Sequence, residues 1–145
     1  MKVLLDTSVY LTILHDRSFA ISAESMLRRI APQMFLSSVV RAELTQGARG
    51  ESGRLLVAKL ARALESVGRV ISPNHEDWVE AASIQSKIWD AKPALRSKRL
   101  LNDLLIARSA RRVGACIFTD NEGDFELIGR WLPVEVLRAA DLLAG

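Results

Sequence analysis

The chain is expected to be an α/β protein with a short, largely parallel central sheet of about five strands flanked by helices. Apolar runs of two to five residues alternate along the sequence with longer stretches of helical periodicity. No two runs lie close enough for a tight hairpin, so successive strands must be joined by right-handed crossovers. A sheet wound that way is covered on both faces, which suits the unbroken apolar character of Ala115-Cys116-Ile117-Phe118.

The first strand is Val3-Leu4-Leu5, stopped at Asp6-Thr7-Ser8, where a carboxylate and two hydroxyls can cap a helix from Val9 to His15. The second is Met34-Phe35-Leu36, with Ser37-Ser38 as caps and Val39, Val40, Glu43, Leu44 and Gly47 following at helical spacing. Leu55 to Leu64 reads as a helix, and Val70-Ile71 as a short third strand. Ser72-Pro73-Asn74 then leads into a helix from about Glu76 to Asp90, which Ala91-Lys92-Pro93 ends. A helix over Leu100 to Arg112 terminates at Gly114 and feeds the strand Ala115 to Thr119, followed by the loop Asp120-Asn121-Glu122-Gly123-Asp124. Val134-Glu135-Val136 is the last strand expected.

At 145 residues, 49% of them hydrophobic, the chain suits one domain over residues 1–145, with no repeat or linker to divide it. The single cysteine, Cys116, has no internal disulfide partner and reads as a buried strand residue in a reducing compartment. No apolar stretch approaches the ~20 residues a membrane span needs, and the start runs directly into a strand, so a cytoplasmic protein is expected. A net charge of +3, from 20 basic and 17 acidic residues, is too mild to identify a nucleic-acid binder by itself. His15 and His75 are far apart and read as surface residues. Trp78, Trp89 and Trp131 stand among helical apolar positions and read as packing residues rather than base-stacking platforms.

In open parallel sheets functional groups gather beyond the carboxyl ends of the strands. Asp6 ends the first strand here, Asp120 follows a late one, and Asp124 comes shortly after. Glu43 and Asp103 lie in helices, Asp103 on the same face as Leu100, Ile106, Ala107 and Ala110. Each acid alone has an ordinary explanation as a helix cap, a helix-dipole partner or a turn residue. Their convergence does not: two carboxylates ~5 Å apart at an effective dielectric of 20 repel by about 3 kcal/mol. Converging acids require raised pKa values or a compensating cation, and oxygen donors favour Mg²⁺ or Mn²⁺. Zinc is disfavoured by the scattered histidines and the lone cysteine.

Leu4 to Tyr10 (LLDTSVY), Phe35 to Leu44 (FLSSVVRAEL), Leu100 to Arg111 (LLNDLLIARSAR) and Phe118 to Ile128 (FTDNEGDFELI) resemble, in order and spacing, the successive motifs of PIN-domain ribonucleases of the VapC toxin type. The resemblance spans almost the whole chain. It implies a PIN-like fold and an endoribonuclease that cleaves structured cellular RNA of the tRNA or rRNA class, leaving a 5′ phosphate. It further implies a homodimer and a cognate VapB-like antitoxin partner. Asp6, Glu43 and Asp103 would be the first three acids of the metal site, with Asp6 and Asp103 as direct ligands and Thr7 and Ser8 in support. The fourth position departs from the family pattern. Thr119-Asp120-Asn121 stands where many relatives have Thr-x-Asp, leaving Asp120 or Asp124 to substitute and Asn121 to support through its side-chain oxygen. Arg96, Lys98 and Arg99, just before the Asp103 helix, are candidate RNA contacts, and Arg108, Arg111 and Arg112 could extend that surface.

Two other readings compete. Asp6 after the first strand could be a phosphorylated nucleophile of a Mg²⁺-dependent phosphotransfer domain. Haloacid-dehalogenase-like phosphatases, however, carry a second aspartate two residues on, where this chain has Ser8. A receiver-like domain would want a lysine after a late strand, and here acids follow it. A catalytically weakened PIN-like module, binding RNA or an antitoxin without cleavage, is motivated by Asn121.

Overall fold

The computed structural model describes residues 1–144. Strands β1 (Lys2–Leu5), β2 (Met34–Ser37), β3 (Val70–Ile71), β4 (Ala115–Thr119) and β5 (Val136–Arg138) form one sheet in the order β3-β2-β1-β4-β5. Every pairing is parallel, with Leu4 opposite Phe35 on one side and Ile117 on the other. The expected α/β class and five-stranded parallel sheet are both found.

Seven helices cover this sheet: α1 (Thr7–His15), α2 (Arg17–Ile30), α3 (Ser38–Gly47), α4 (Gly50–Ser66), α5 (His75–Ala91), α6 (Leu101–Val113) and α7 (Glu122–Gly129). Ser37 caps α3 by accepting from Val39 N–H at 3.1 Å, and Asn74 caps α5 in a reciprocal box with Asp77. Gly114 ends α6 at φ +71°, a left-handed conformation in which its N–H reaches the carbonyls of Ala110 and Arg111. That reversal turns the chain directly into β4.

The segment after His15, for which no element was expected, contains the whole of α2, started by Asp16 accepting from Phe19 N–H at 3.0 Å. Two expectations need correction. The segment 120–124 is a loop only at its start, because α7 begins at Glu122 and buries Phe125 and Ile128. The last strand lies two residues later than Val134–Val136. Pairing with β4 sets its position, placing Val136 opposite Ile117 and Arg138 opposite Thr119.

The core forms around β1, β4 and α6. Val3, Leu4, Leu104, Leu105, Ile106 and Ile117 are wholly buried, each worth about 1.5–3 kcal/mol of transfer free energy as an upper estimate. Cys116 is buried in β4, as its sequence context suggested, and burial raises its thiol pKa, which keeps it protonated. His15 and His75 are exposed as expected. Two tryptophans depart from expectation: Trp78 on α5 and Trp131 in the turn after α7 are 49% and 40% exposed, whereas Trp89 is half-buried and donates through Nε1 to the carbonyl of Lys98 at 3.1 Å. No helix among the described residues is long and apolar enough to cross a membrane.

Candidate active site

In this strand order the chain leaves β1 for β2 on one side, while β4 joins from the other. The carboxyl ends of β1 and β4 therefore flank the point where the winding reverses, the place at which open α/β sheets form their crevices. Asp6 N–H donates to the carbonyl of Phe118 at 2.9 Å, locking the two strand ends together.

Asp6 occupies the N-cap position of α1 but makes no side-chain cap bond. Its buried Oδ2 instead accepts from Ser8 Oγ and Thr119 Oγ1, both at 2.9 Å. Thr119, wholly buried at the end of β4, also accepts from Asn121 N–H at 2.8 Å and so ties the start of the following loop to Asp6. Thr7 donates to Glu43 Oε1 at 2.7 Å, which links the first turn of α1 to the middle of α3.

Asp103 lies in the first turn of α6. A helix N-terminus favours the ionised carboxylate by about 0.3–1 kcal/mol. Burial, followed by the charges of Asp6, Glu43 and Asp124, overrides this and raises its pKa to about 7, with Lys98 acting in the opposite direction. The start of α6 is held by a residue that no local sequence pattern singles out: buried Gln85 of α5 accepts from Leu100 N–H at 2.5 Å.

These elements enclose a cleft of about 530 Å³ whose walls include Asp6, Glu43, Asp103, Asn121, Gln85 and Arg99. The two substitutes considered for the fourth acid separate clearly. Neither lines the cleft itself; Asp120 is exposed and accepts from Thr12 Oγ1 at 2.6 Å. Asp124 is partly buried, receives Asn121 Nδ2 at 2.8 Å and Lys98 Nζ at 2.5 Å, and its charge reaches Asp103.

The basic residues also divide. Arg99 lines the cleft, Lys98 is paired with Asp124, and Arg96 pairs with Asp90 at 3.5 Å. The second arginine group is engaged within the protein. Arg108 and Arg112 both pair with Asp77, which is 1% exposed, and Arg111 donates to the carbonyl of Pro133 at 2.7 Å. Burial of Asp77 demands those cations, since an unpaired carboxylate there would be strongly unfavourable.

Among the described residues, no three His, Cys, Asp or Glu side chains form a ready-made metal cage. The acidic donors around the cleft are nonetheless oxygen, and the pKa of Asp103, raised first by burial and then by the neighbouring carboxylates, marks a carboxyl short of both water and counter-charge. Mg²⁺ usually keeps several waters and takes only one or two carboxylates, so the residues present fit a cation of that kind.

An all-parallel α/β fold with acids gathered at its topological switch point is the class these features define. The chain belongs to the PIN domain family, whose profile matches residues 3–130. No curated protein sequence matches it significantly. Among solved structures, the FitAB complex bound to an IR36 DNA fragment has a chain 20% identical, with a TM-score of 0.67 over 94% of both chains. The DNA-bound VapBC complex of Salmonella typhimurium gives 19% identity and a TM-score of 0.67, covering 96% of this chain and 98% of that one. VapBC-1 of nontypeable Haemophilus influenzae gives 19% and 0.65, covering 97% and 99%. The PIN-domain resemblance drawn from the four motifs thus holds, and these neighbours share the fold at low sequence identity.

Proposed function

We propose that the chain is a divalent-metal-dependent endoribonuclease and the toxin of a toxin–antitoxin pair. The observation that carries this is the meeting of Asp6, Glu43 and Asp103 around one cleft at the sheet's switch point, with the pKa of Asp103 raised to about 7 partly by the other two. Asp6 and Asp103 would hold Mg²⁺ or Mn²⁺, with Glu43 beside them. When bound, such a cation supplies an activated attacking water and neutralises charge on the scissile phosphate. Ser8 and Thr119 hold Asp6 in place, and Thr7 holds Glu43. Asp124 takes the fourth acidic position in this reading, steadied by Asn121, while Asp120 serves as a structural acceptor for Thr12. Arg99 on the cleft wall is the RNA contact best placed to offset carboxylate repulsion.

The partner proposal rests on the structural neighbours, which are complexes named for paired components and in two cases bound to DNA. By that likeness this chain, acting as one domain in the cytoplasm and as a homodimer, would be held by an antitoxin. Structured cellular RNA of the tRNA or rRNA class is the proposed substrate.

The test is incubation of antitoxin-free protein with total cellular RNA and Mg²⁺ or Mn²⁺, beside EDTA, Asp6→Ala and Asp103→Ala, with new 5′ ends mapped. Discrete ends that vanish in every control are expected. Absence of cleavage by folded wild type that still binds RNA would favour the weakened-module reading, for which Asn121 in the cleft wall is the specific motive.

A further inference from the structure

The surface beside the acidic cleft continues past Asp124. A shallow depression lined by Lys92, Lys98, Asp124, Glu126 and Arg130 adjoins it, because Asp124 is bonded both to the cleft residue Asn121 and to Lys98. Lys92 and Arg130 also border a second hollow of about 310 Å³, whose apolar wall includes Ile88, Leu127 and Trp131. The three cations of the depression face two carboxylates, one of which is already paired with Lys98. Lys92 and Arg130 have no ion-pair partner among the described residues.

Trp131 is 40% exposed, leaving part of a large ring in water beside these cations. A carboxylate cleft repels a polyanion, so a strand entering it has to be held by cations outside it. Exposed bases stack on aromatic faces with little regard for sequence, whereas a duplex presents mainly phosphates and hydroxyls.

Resting on the nuclease reading, we infer that this surface is a track for single-stranded RNA. Its phosphates pass Lys98, Lys92 and Arg130, and one unpaired base stacks on Trp131 over the apolar hollow. Structured RNA would then be engaged at a loop or an end, where bases are free.

The experiment measures binding of a fluorescein-labelled single-stranded RNA of about 12 nucleotides by anisotropy in EDTA, where metal-dependent cutting is silent. A duplex of the same sequence serves as comparison. Trp131→Ala should weaken single-strand binding at least about fivefold, Trp131→Phe should restore most of it, and duplex binding should not respond. The double variant Lys92→Glu, Arg130→Glu should weaken binding and flatten its salt dependence. Melting temperatures verify that each variant is folded, and the Phe and charge-reversal variants carry the test if the alanine variant is not. Single-strand binding within about twofold of wild type in Trp131→Ala, equal loss on duplex, or no RNA binding by wild type would overturn the track. Cleavage by wild type in Mg²⁺ reads the nuclease assignment separately. Cutting with Trp131-independent binding sinks the track alone, and Trp131-dependent binding without cutting sinks the nuclease alone.

Discussion

Asp103 concentrates the strain of the site in one carboxyl group. In the unfolded chain it titrates near the ordinary aspartate value of about 3.9, and in the native protein near 7. Below about pH 4 both states are protonated and the group costs nothing. As pH rises from about 4 to 7 the unfolded chain loses this proton while the native protein keeps it, so stability falls through that window and levels off above it. The loss is at most about 4 kcal/mol, and less with solvent screening of the exposed part of the side chain. Melting temperatures in EDTA from pH 4 to 8 should show the decline, and Asp103→Asn should flatten it. A wild-type curve no steeper than that of the variant would refute the assignment. Thr119→Val should cost about 1–3 kcal/mol in urea unfolding by stripping a partner from buried Asp6, with Thr119→Ser close to wild type. Ser8→Ala should reduce metal affinity about tenfold, measured by Mn²⁺ titration.

At the scale of elements, α6 carries Asp103 at one end and Arg108 and Arg112 toward the other, and both ends are tied to α5. Gln85 anchors the N-terminal end through Leu100 N–H. Gln85→Leu should leave that buried donor unpaired, lowering stability by about 1–3 kcal/mol and cleavage along with it. A chemical-denaturation curve coincident with wild type would show that the bond does not hold the helix. The elements also explain what could be read in advance. β1, β2 and β4 were legible because their apolar runs break sharply at polar caps; Asp6 was legible because it stands at such a break, Asp103 because it interrupts an apolar helix face, and Glu43 through the resemblance to the PIN-domain motifs. α2 is less legible because its buried face is sparse: Asp16, Phe19, Ala23 and Ile30 have helical spacing, but only Ala23 and Ile30 of the helix are buried. The start of α7 resembles a turn because Glu122, Gly123 and Asp124 favour one locally, and only packing of Phe125 and Ile128 against the core makes it helical. That helix also separates the surroundings of Asp120 and Asp124, since it turns Asp124 toward Lys98 and leaves Asp120 with Thr12. Nothing in local sequence could reveal Gln85, whose partner lies 15 residues away.

For the whole molecule, the parallel sheet places its least comfortable groups together at the switch point and supports them from α1, α3, α6 and α7. The fold holds Asp6, Glu43 and Asp103 around one cleft, leaving repulsion that a divalent cation would relieve. Mg²⁺ should therefore raise the melting temperature more at pH 8 than at pH 5, since the raised carboxyl must be ionised to bind it. The most direct test of this account is Mn²⁺ binding to metal-free protein at pH 7.5, followed by electron paramagnetic resonance. The account predicts binding by wild type that is lost or greatly weakened in Asp6→Asn and in Asp103→Asn, each shown to be folded. Equal Mn²⁺ affinity in wild type and both variants, or none in any of them, would contradict it.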